Sequence, residues 1–161
     1  MTVRVLLADD HRLVREALRV LLEQDRTIQI VAETGNGLEV VKLARATDPD
    51  IVCMDINMPG MEGIETTQHL IDACPNIKVI GLSAFTDKGH VLDMLGAGAS
   101  AYVTKDAAGD ELPRAIRAVQ DGRKFYSTEI AAVLMTSLLD NRFNNQEPNG
   151  NALSISKPTA R

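Results

Sequence analysis

The stretch VCMDINMPG, residues 52–60, carries an acid at the end of an apolar run. The residues from Ile51 to Met54 are all apolar, and Asp55 follows them shortly before the Pro59-Gly60 pair. Burying an ionised carboxylate without a partner costs roughly several kcal/mol. An acid beside a core strand therefore needs a neighbouring group that stabilises its charge. The rest of the sequence indicates which neighbours those are.

Apolar runs of strand length alternate with helical periodicity along most of the chain. The runs cover residues 3–8, 27–33, 51–54, 77–82 and 99–103, and a stretch with helical spacing of apolar residues follows each of them. Such alternation with short connections predicts an α/β fold, with a five-stranded parallel sheet, right-handed crossovers and helices on both faces. Pro113 is compatible with the fifth helix only in its first turn.

The pattern changes after Gly122. Residues 124–141 predict a sixth helix, with Ser127 as its N-cap, Glu129 near its positive end and an apolar stripe that includes Ile130 and Leu134. From residue 142 the composition is polar and rich in Asn, which predicts a disordered linker or tail over 142–161. The domain is therefore expected to span 1–123, followed by a linker helix and a tail.

Composition excludes several classes of protein. The 161 residues carry a net charge of −5, which argues against a broad nucleic-acid or anionic-membrane surface. No apolar run approaches the roughly 20 residues of a membrane span, and the N-terminus lacks the layout of a signal peptide. The two cysteines, Cys53 and Cys74, have no metal-ligand spacing and are interpreted as reduced. We expect a cytoplasmic protein that does not contact a membrane.

Polar side chains occur where four of the five strands end. Asp9 and Asp10 follow the first strand, Asp55 the third, Ser83 the fourth and Lys105 the fifth. In an open parallel sheet, ligands bind outside the carboxyl ends of the strands. The sequence therefore predicts a site built from three carboxylates, a hydroxyl and an ammonium group.

These residue types suit phosphoryl chemistry around a hard divalent cation. Clustered carboxylates repel one another, and Mg²⁺ (or Mn²⁺) removes that conflict by taking oxygen ligands. Lys105 and Ser83 would hold phosphoryl oxygens, and a carboxylate such as Asp55 can attack phosphorus to form an aspartyl-phosphate. Taken singly, Asp9 and Asp10 could cap a helix and Asp55 could be a turn residue. His11, beside the acid pair, could be a ligand, but without a partner histidine it is assigned a surface or capping role.

The motifs LLADDH, VCMDINMPGMEGIE, GLSAF and AYVTKD together resemble the receiver domain of two-component response regulators. The resemblance spans residues 3–122 and implies the flavodoxin-like strand order 2-1-3-4-5. It also implies that Asp55 is the phosphoacceptor, and that Mg²⁺ is held by Asp10 directly, by Asp9 partly through water, by Asp55 and by the backbone carbonyl of Asn57.

The same resemblance implies a conformational switch. Ser83 would move toward the phosphoryl group, Tyr102 would turn inward with it, and Lys105 would bridge to the phosphate. The fourth helix, fifth strand and fifth helix would form the readout surface, where Leu92 and Leu95 are candidate contacts. A histidine kinase is the implied phosphodonor, and a phosphorylation-dependent homodimer is the implied product, through that surface or through the first and fifth helices.

Further features resemble the NarL/FixJ (LuxR-type) transcription regulators. They are MDINMPGMEGIE, the non-proline Asp106 after Lys105, and RAIRAVQDGRKFYSTEIAAVLM. Because many receivers have a cis-proline after the lysine, Asp106 leaves the isomer of that peptide open. The resemblance implies DNA binding only through a helix-turn-helix effector that would follow this chain, so we expect the sequence to be the first part of a transcription regulator.

Three alternatives stay open at this level. A single-domain receiver would act by protein-protein interaction alone. A Mg²⁺-dependent phosphohydrolase working through an aspartyl-phosphate usually has a second acid two residues after the nucleophile, where this chain has Asn57. A flavin- or nucleotide-binding module would need a glycine-rich loop after the first strand, where this chain has acids.

Overall fold

Strands and helices alternate along the chain as the apolar pattern predicts. The structure, a computed structural model, describes residues 2–84 and 88–146, with side chains up to residue 142. The strands are β1 (Val3–Ala8), β2 (Ile28–Thr34), β3 (Ile51–Asp55), β4 (Lys78–Ser83), β5 (Ala101–Thr104) and β6 (Phe125–Tyr126). The helices are α1 (Arg12–Glu23), α2 (Val40–Thr47), α3 (Gly63–Ala73), α4 (Lys88–Gly96), α5 (Ala108–Gln120) and α6 (Thr128–Gln146).

The strands form one parallel sheet in the order β2-β1-β3-β4-β5-β6. The expected order 2-1-3-4-5 is confirmed. The structure adds β6, which pairs Phe125 with Ala101 and Tyr126 with Tyr102. Two residues are too few to show the alternation that marks a strand, so the sequence pattern gave no sign of it.

Each face of the sheet has its own core. Val5 and Leu7 of β1 pack in the cluster that includes residues of α1 and α5, whereas Leu6 and Ala8 pack in the cluster that includes residues of α2, α3, α4 and α6. Successive side chains of a strand point to opposite faces, so a strand covered on both sides must be apolar at every position. This explains the unbroken apolar run before Asp9.

Pro113 departs from the prediction. The helix α5 begins at Ala108, so Pro113 is its sixth residue rather than part of its first turn. A proline there has no N–H to donate to the carbonyl of Gly109, one turn earlier. The strongly apolar inner face of α5, with Leu112 and Ile116 fully buried, holds the helix in place despite that missing hydrogen bond.

Ser127, directly before α6, links three elements of the fold. Its hydroxyl accepts a hydrogen bond from the Thr104 N–H at 3.0 Å and donates one to the Glu111 carboxylate. Its own N–H donates to the Tyr102 carbonyl at 3.0 Å. The start of α6 is therefore attached to β5 and α5 through a side chain that is 2% exposed.

Removing the Ser127 hydroxyl is expected to destabilise the fold. In Ser127→Ala the buried Thr104 N–H loses its acceptor, which costs about 1 kcal/mol. Urea unfolding followed by circular dichroism measures this cost. Thr136→Ala is the matched control, because the exposed Thr136 hydroxyl donates to the Ala132 carbonyl within its own helix. Equal midpoints for the two variants would show that the Ser127 network adds nothing.

The helix α6 ends at Gln146, past residue 142, where the polar composition predicts the tail to begin. Residues 147–161 of that predicted tail lie outside the described residues. Across the part of the chain that the structure describes, no helix combines the length and hydrophobicity that a membrane crossing requires.

Candidate functional site

Three of the predicted site residues meet at the carboxyl edge of the sheet. Asp9 follows β1, Asp55 is the last residue of β3, and Lys105 follows β5. The Lys105 Nζ lies 3.1 Å from Asp55 Oδ2 and 3.2 Å from Asp9 Oδ2. The parallel order of the strands thus brings together residues that are up to 96 positions apart in the sequence.

The two acids at the centre of the site are buried. Asp9 is 1% exposed and Asp55 is 3% exposed. Asp55 Oδ1 accepts a hydrogen bond from the Asn57 N–H at 3.3 Å, and Lys105 Nζ donates to Oδ2. The acid that seemed costly in the sequence has a cation and a backbone donor as its partners.

These partners only partly compensate for the burial of Asp55. Burial is the largest effect and raises the pKa of Asp55, and the neighbouring Asp9 charge raises it further. Lys105 and the Asn57 N–H act in the opposite direction, and the result is a pKa of about 6. The ionised carboxylate is therefore held in a destabilised state, which favours its pairing with further positive charge.

His11 lies at the surface, as the sequence predicts, with a side chain 62% exposed, but its ring faces the acid pair instead of capping α1. The helix α1 has no side-chain cap, and His11 Nδ1 lies 3.2 Å from Asp9 Oδ1 and 3.3 Å from Asp10 Oδ1. Its backbone N–H donates to Asp9 Oδ1 at 2.8 Å. The position of His11 directly after the acid pair was the available signal, but a lone histidine was too weak a pattern.

The donor set fits a divalent cation. Asp9, Asp10, His11 and Asp55 each offer one ligand atom, and these atoms lie within 4.8 Å of one another. Asp9 Oδ2 is buried and accepts no hydrogen bond from the described residues, although Lys105 is its ion-pair partner. A buried carboxylate oxygen facing other carboxylates is a suitable ligand for a hard cation.

The predicted switch residues lie on β4, the strand beside that of Asp55, and on β5, one strand further on. Ser83 is the last residue of β4, is 1% exposed and pairs with Thr104 of β5. Tyr102 is fully buried in β5, opposite Gly81 of β4 and Tyr126 of β6. On α4, Leu92 is exposed and Leu95 packs against the core.

The backbone around the site contains trans peptide bonds and one glycine with a positive φ. All peptide bonds among the described residues are trans, including the one between Lys105 and Asp106. Asn57 is exposed and follows β3 by two residues. Gly60 has a φ of 89°, a conformation that glycine adopts readily, and it turns the chain after Pro59.

Comparison with known proteins identifies the class. Residues 5–117 match the family model of the response regulator receiver domain, and the chain belongs to that family. The match runs from within β1 to within α5 and includes Asp9, Asp55 and Lys105.

Relatives with known names or structures agree with this assignment. The uncharacterized transcriptional regulatory protein YxjL of Bacillus subtilis is 37% identical over 134 residues, which cover 83% of this chain and 62% of YxjL. A LuxR-family two-component response regulator of Aurantimonas has a TM-score of 0.83 at 37% identity, over 86% of this chain and 99% of that one. The chain thus resembles LuxR-family response regulators and spans less than two thirds of YxjL.

A solved structure of a DNA-interacting regulator is also similar. The RcsB response regulator of Salmonella typhimurium has a TM-score of 0.78 at 26% identity, over 83% of this chain and 67% of that one. A further RcsB structure contains two RcsB dimers bound to two parallel DNAs and has a TM-score of 0.78 at 25% identity, over 84% of this chain and 69% of that one.

Proposed function

We propose that Asp55 accepts a phosphoryl group and that this modification is the signal carried by the domain. The observation that supports this most strongly is that Lys105 forms ion pairs with two buried carboxylates, those of Asp55 and Asp9. The raised pKa of Asp55 marks a carboxylate that is weakly solvated and only partly paired. Such a group is a better nucleophile than a fully hydrated one.

The proposed phosphodonor is the phosphohistidine of a sensor histidine kinase. A carboxylate oxygen of Asp55 forms a bond to phosphorus while the bond from phosphorus to the donor imidazole nitrogen breaks. The bonding electron pair stays with that nitrogen, which takes up a proton. Lys105, 3.1 Å from Asp55 Oδ2, neutralises negative charge on the phosphoryl oxygens. Water later hydrolyses the acyl phosphate and restores Asp55.

Mg²⁺ or Mn²⁺ is proposed as the cofactor, held by Asp10 directly, by Asp9 partly through water, by Asp55 and by the Asn57 backbone carbonyl. When bound, the cation would supply charge neutralisation between these acids and the phosphoryl oxygens. Asp9 and Asp55 are positioned for this role by their burial at adjacent strand ends. Asp10, whose side chain is 33% exposed, is more accessible to solvent than these two buried acids.

Phosphorylation is proposed to shift a conformational equilibrium through Ser83 and Tyr102. Ser83 lies beside Asp55 because β3 and β4 are paired, and Tyr102 lies one strand further on. A phosphoryl group that interacts more favourably with one position of Ser83 stabilises that state. The surface made of α4, β5 and α5 then carries the change to partners.

Transcription regulation is proposed for the full-length protein. The similarity to YxjL and to DNA-bound RcsB dimers supports a phosphorylation-dependent homodimer that binds DNA through an effector domain outside this chain. We propose a cytoplasmic location, where a kinase domain could reach Asp55. The receiver contributes to its own phosphorylation and dephosphorylation and needs no other catalytic role.

The test is phosphorylation by a small phosphodonor in the presence of Mg²⁺, followed by intact-mass measurement in acid. The wild-type protein is expected to gain one phosphoryl group, and Asp55→Asn is expected to gain none. Asp25 lies just beyond the C-terminal end of α1. Asp25→Asn is the control and should gain one phosphoryl group, as wild type does. Equal modification of Asp55→Asn and wild type would refute the site, whereas sustained release of phosphate from phosphate esters would indicate a phosphohydrolase.

A further inference from the structure

His11 is the one member of the acidic site whose presence the proposed phosphoryl chemistry does not explain. Its Nδ1 lies 3.2 Å from Asp9 Oδ1, 3.3 Å from Asp10 Oδ1 and 3.9 Å from Asp55 Oδ2. The ring nitrogen therefore faces all three carboxylates at once. A histidine that served only to cap α1 would direct its side chain at the helix backbone, and α1 has no side-chain cap.

These separations are those of ligands around one cation. In octahedral coordination with bonds of about 2.1 Å, neighbouring ligand atoms are roughly 3 Å apart and opposite ones roughly 4.2 Å apart. The distances from His11 Nδ1 to Asp9 and Asp10 match neighbouring positions. The longer distance to Asp55 lies between the two values. All four ligand atoms lie within 4.8 Å of one another, so side-chain movements of about 1 Å would bring them to bonding distance of one ion.

A second observation points to a cation in the same place. Asp9 is almost fully buried, and its Oδ2 accepts no hydrogen bond from any described residue. Lys105 Nζ lies within 3.2 Å of Asp9 Oδ2 and also 3.2 Å from His11 Nδ1. The space beside Asp9 Oδ2 thus attracts positive charge, and the Nδ1 of His11 points toward it.

We propose that His11 is a nitrogen ligand that makes this site favour imidazole-binding divalent cations, such as Co²⁺, Ni²⁺ and Zn²⁺, over Mg²⁺. Mg²⁺ takes oxygen ligands and retains water, so it gains little from an imidazole. Later first-row cations bind imidazole nitrogen well. The inference rests on the proposed cation site and concerns the part of its selectivity that a nitrogen ligand adds to that of the carboxylates.

The site would then respond to two groups of cations in different ways. Mg²⁺ would use the carboxylates and leave His11 free to move. Co²⁺ or Zn²⁺ would also engage His11, which has a side chain 62% exposed and thus free to reorient. Such a cation would fix the start of α1 to the strand ends through His11, the residue that precedes the helix.

Calorimetric titration of the wild-type chain with Co²⁺ and, separately, with Mg²⁺ tests this at one fixed pH. His11→Asn is expected to weaken Co²⁺ binding roughly tenfold or more and Mg²⁺ binding less than about twofold. The visible absorption of bound Co²⁺ should change as well, because a nitrogen ligand is replaced. His69→Asn, which alters an exposed histidine on α3, is the matched control and should change neither affinity.

The outcomes separate this inference from the proposed function. Equal weakening of Co²⁺ and Mg²⁺ in His11→Asn, or no weakening of either, would overturn the role of His11 while leaving the phosphoacceptor intact. Failure of the wild-type chain to bind Mg²⁺ at all would instead count against the proposed function. Thermal unfolding of each variant without metal establishes that the fold is unchanged, since the His11 contact to Asp9 through its backbone N–H is kept.

Discussion

Asp55→Asn is expected to unfold at a higher temperature than wild type at neutral pH, although it takes up no phosphoryl group. Burial and the Asp9 charge raise the pKa of Asp55 from 3.8 to about 6, against the opposing effect of Lys105. A carboxyl group with a higher pKa in the folded state binds more protons when folded than when unfolded. The stabilisation that this tighter proton binding gives to the folded state is complete below about pH 4 and is lost as the pH rises through about 6.

The amide of Asp55→Asn has the same shape as the carboxyl group but does not ionise, so the variant does not lose stability as the pH rises. The difference between the two pKa values corresponds to roughly 3 kcal/mol at most. Water at the accessible edge of the site screens part of it, so we expect a gain of about 1 to 2 kcal/mol, or about 5 °C, at pH 7 without metal. Thermal unfolding from pH 4 to pH 7 measures this, and the advantage of the variant should grow with pH.

Asp25→Asn serves as a control, because the pKa of Asp25 is shifted in the direction opposite to that of Asp55. The hydroxyl and N–H of Thr27 donate to Asp25 Oδ1, and these hydrogen bonds lower the pKa of Asp25. Its ionised form is therefore favoured by folding, and the amide is expected to be less stable than wild type at neutral pH. A loss of stability in Asp55→Asn as well would show that the surroundings of Asp55 stabilise its charge.

Gly63→Ala is expected to cause the largest loss of stability. Gly63 begins α3 directly behind Asp55, the proposed phosphoacceptor, and a Cβ there would lie 2.5 Å from the Asp55 carbonyl oxygen and 2.6 Å from the Ile56 Cα. Both atoms belong to the backbone, so α3 or the end of β3 must move. We expect the free energy of unfolding to fall by about 3 kcal/mol.

The same movement should reduce phosphorylation, because Asp55 would shift relative to Lys105. Urea unfolding gives the stability change, and the rate of mass gain with a small phosphodonor gives the functional one. Gly96→Ala is the matched control, since a Cβ at this helical position meets no atom within 4 Å. It should stabilise the protein slightly, as alanine does in helices. A Gly63→Ala variant as stable as wild type would mean that the close approach of α3 to β3 is not required.

The centre of the site was predictable because the rule behind it depends only on strand order. Apolar runs marked the strands, and acids or a lysine at their ends had to meet at one edge of a parallel sheet. The structure brings Asp9, Asp55 and Lys105 into direct contact in this way. No estimate of side-chain orientation was needed for that inference.

The features that escaped prediction depend on single contacts. The hydroxyl of Ser127 bonds to Thr104 and Glu111 across the fold, whereas local sequence suggested only a cap for α6. His11 joins the acids through the orientation of one ring. Periodicity reports which face of an element is apolar, but it carries no information about which partner a lone polar side chain finds in space.

The two-residue strand β6 has a consequence for how the chain can be shortened. All four residues of β5 are buried, and an unpaired edge of that kind is a template on which strands from other molecules can assemble into aggregates. Phe125 and Tyr126 of β6 occupy that edge, and α6 contacts both β5 and β6. A version that stops at residue 117, where the family match ends, would expose β5, so a soluble fragment should retain the segment through β6 and the start of α6.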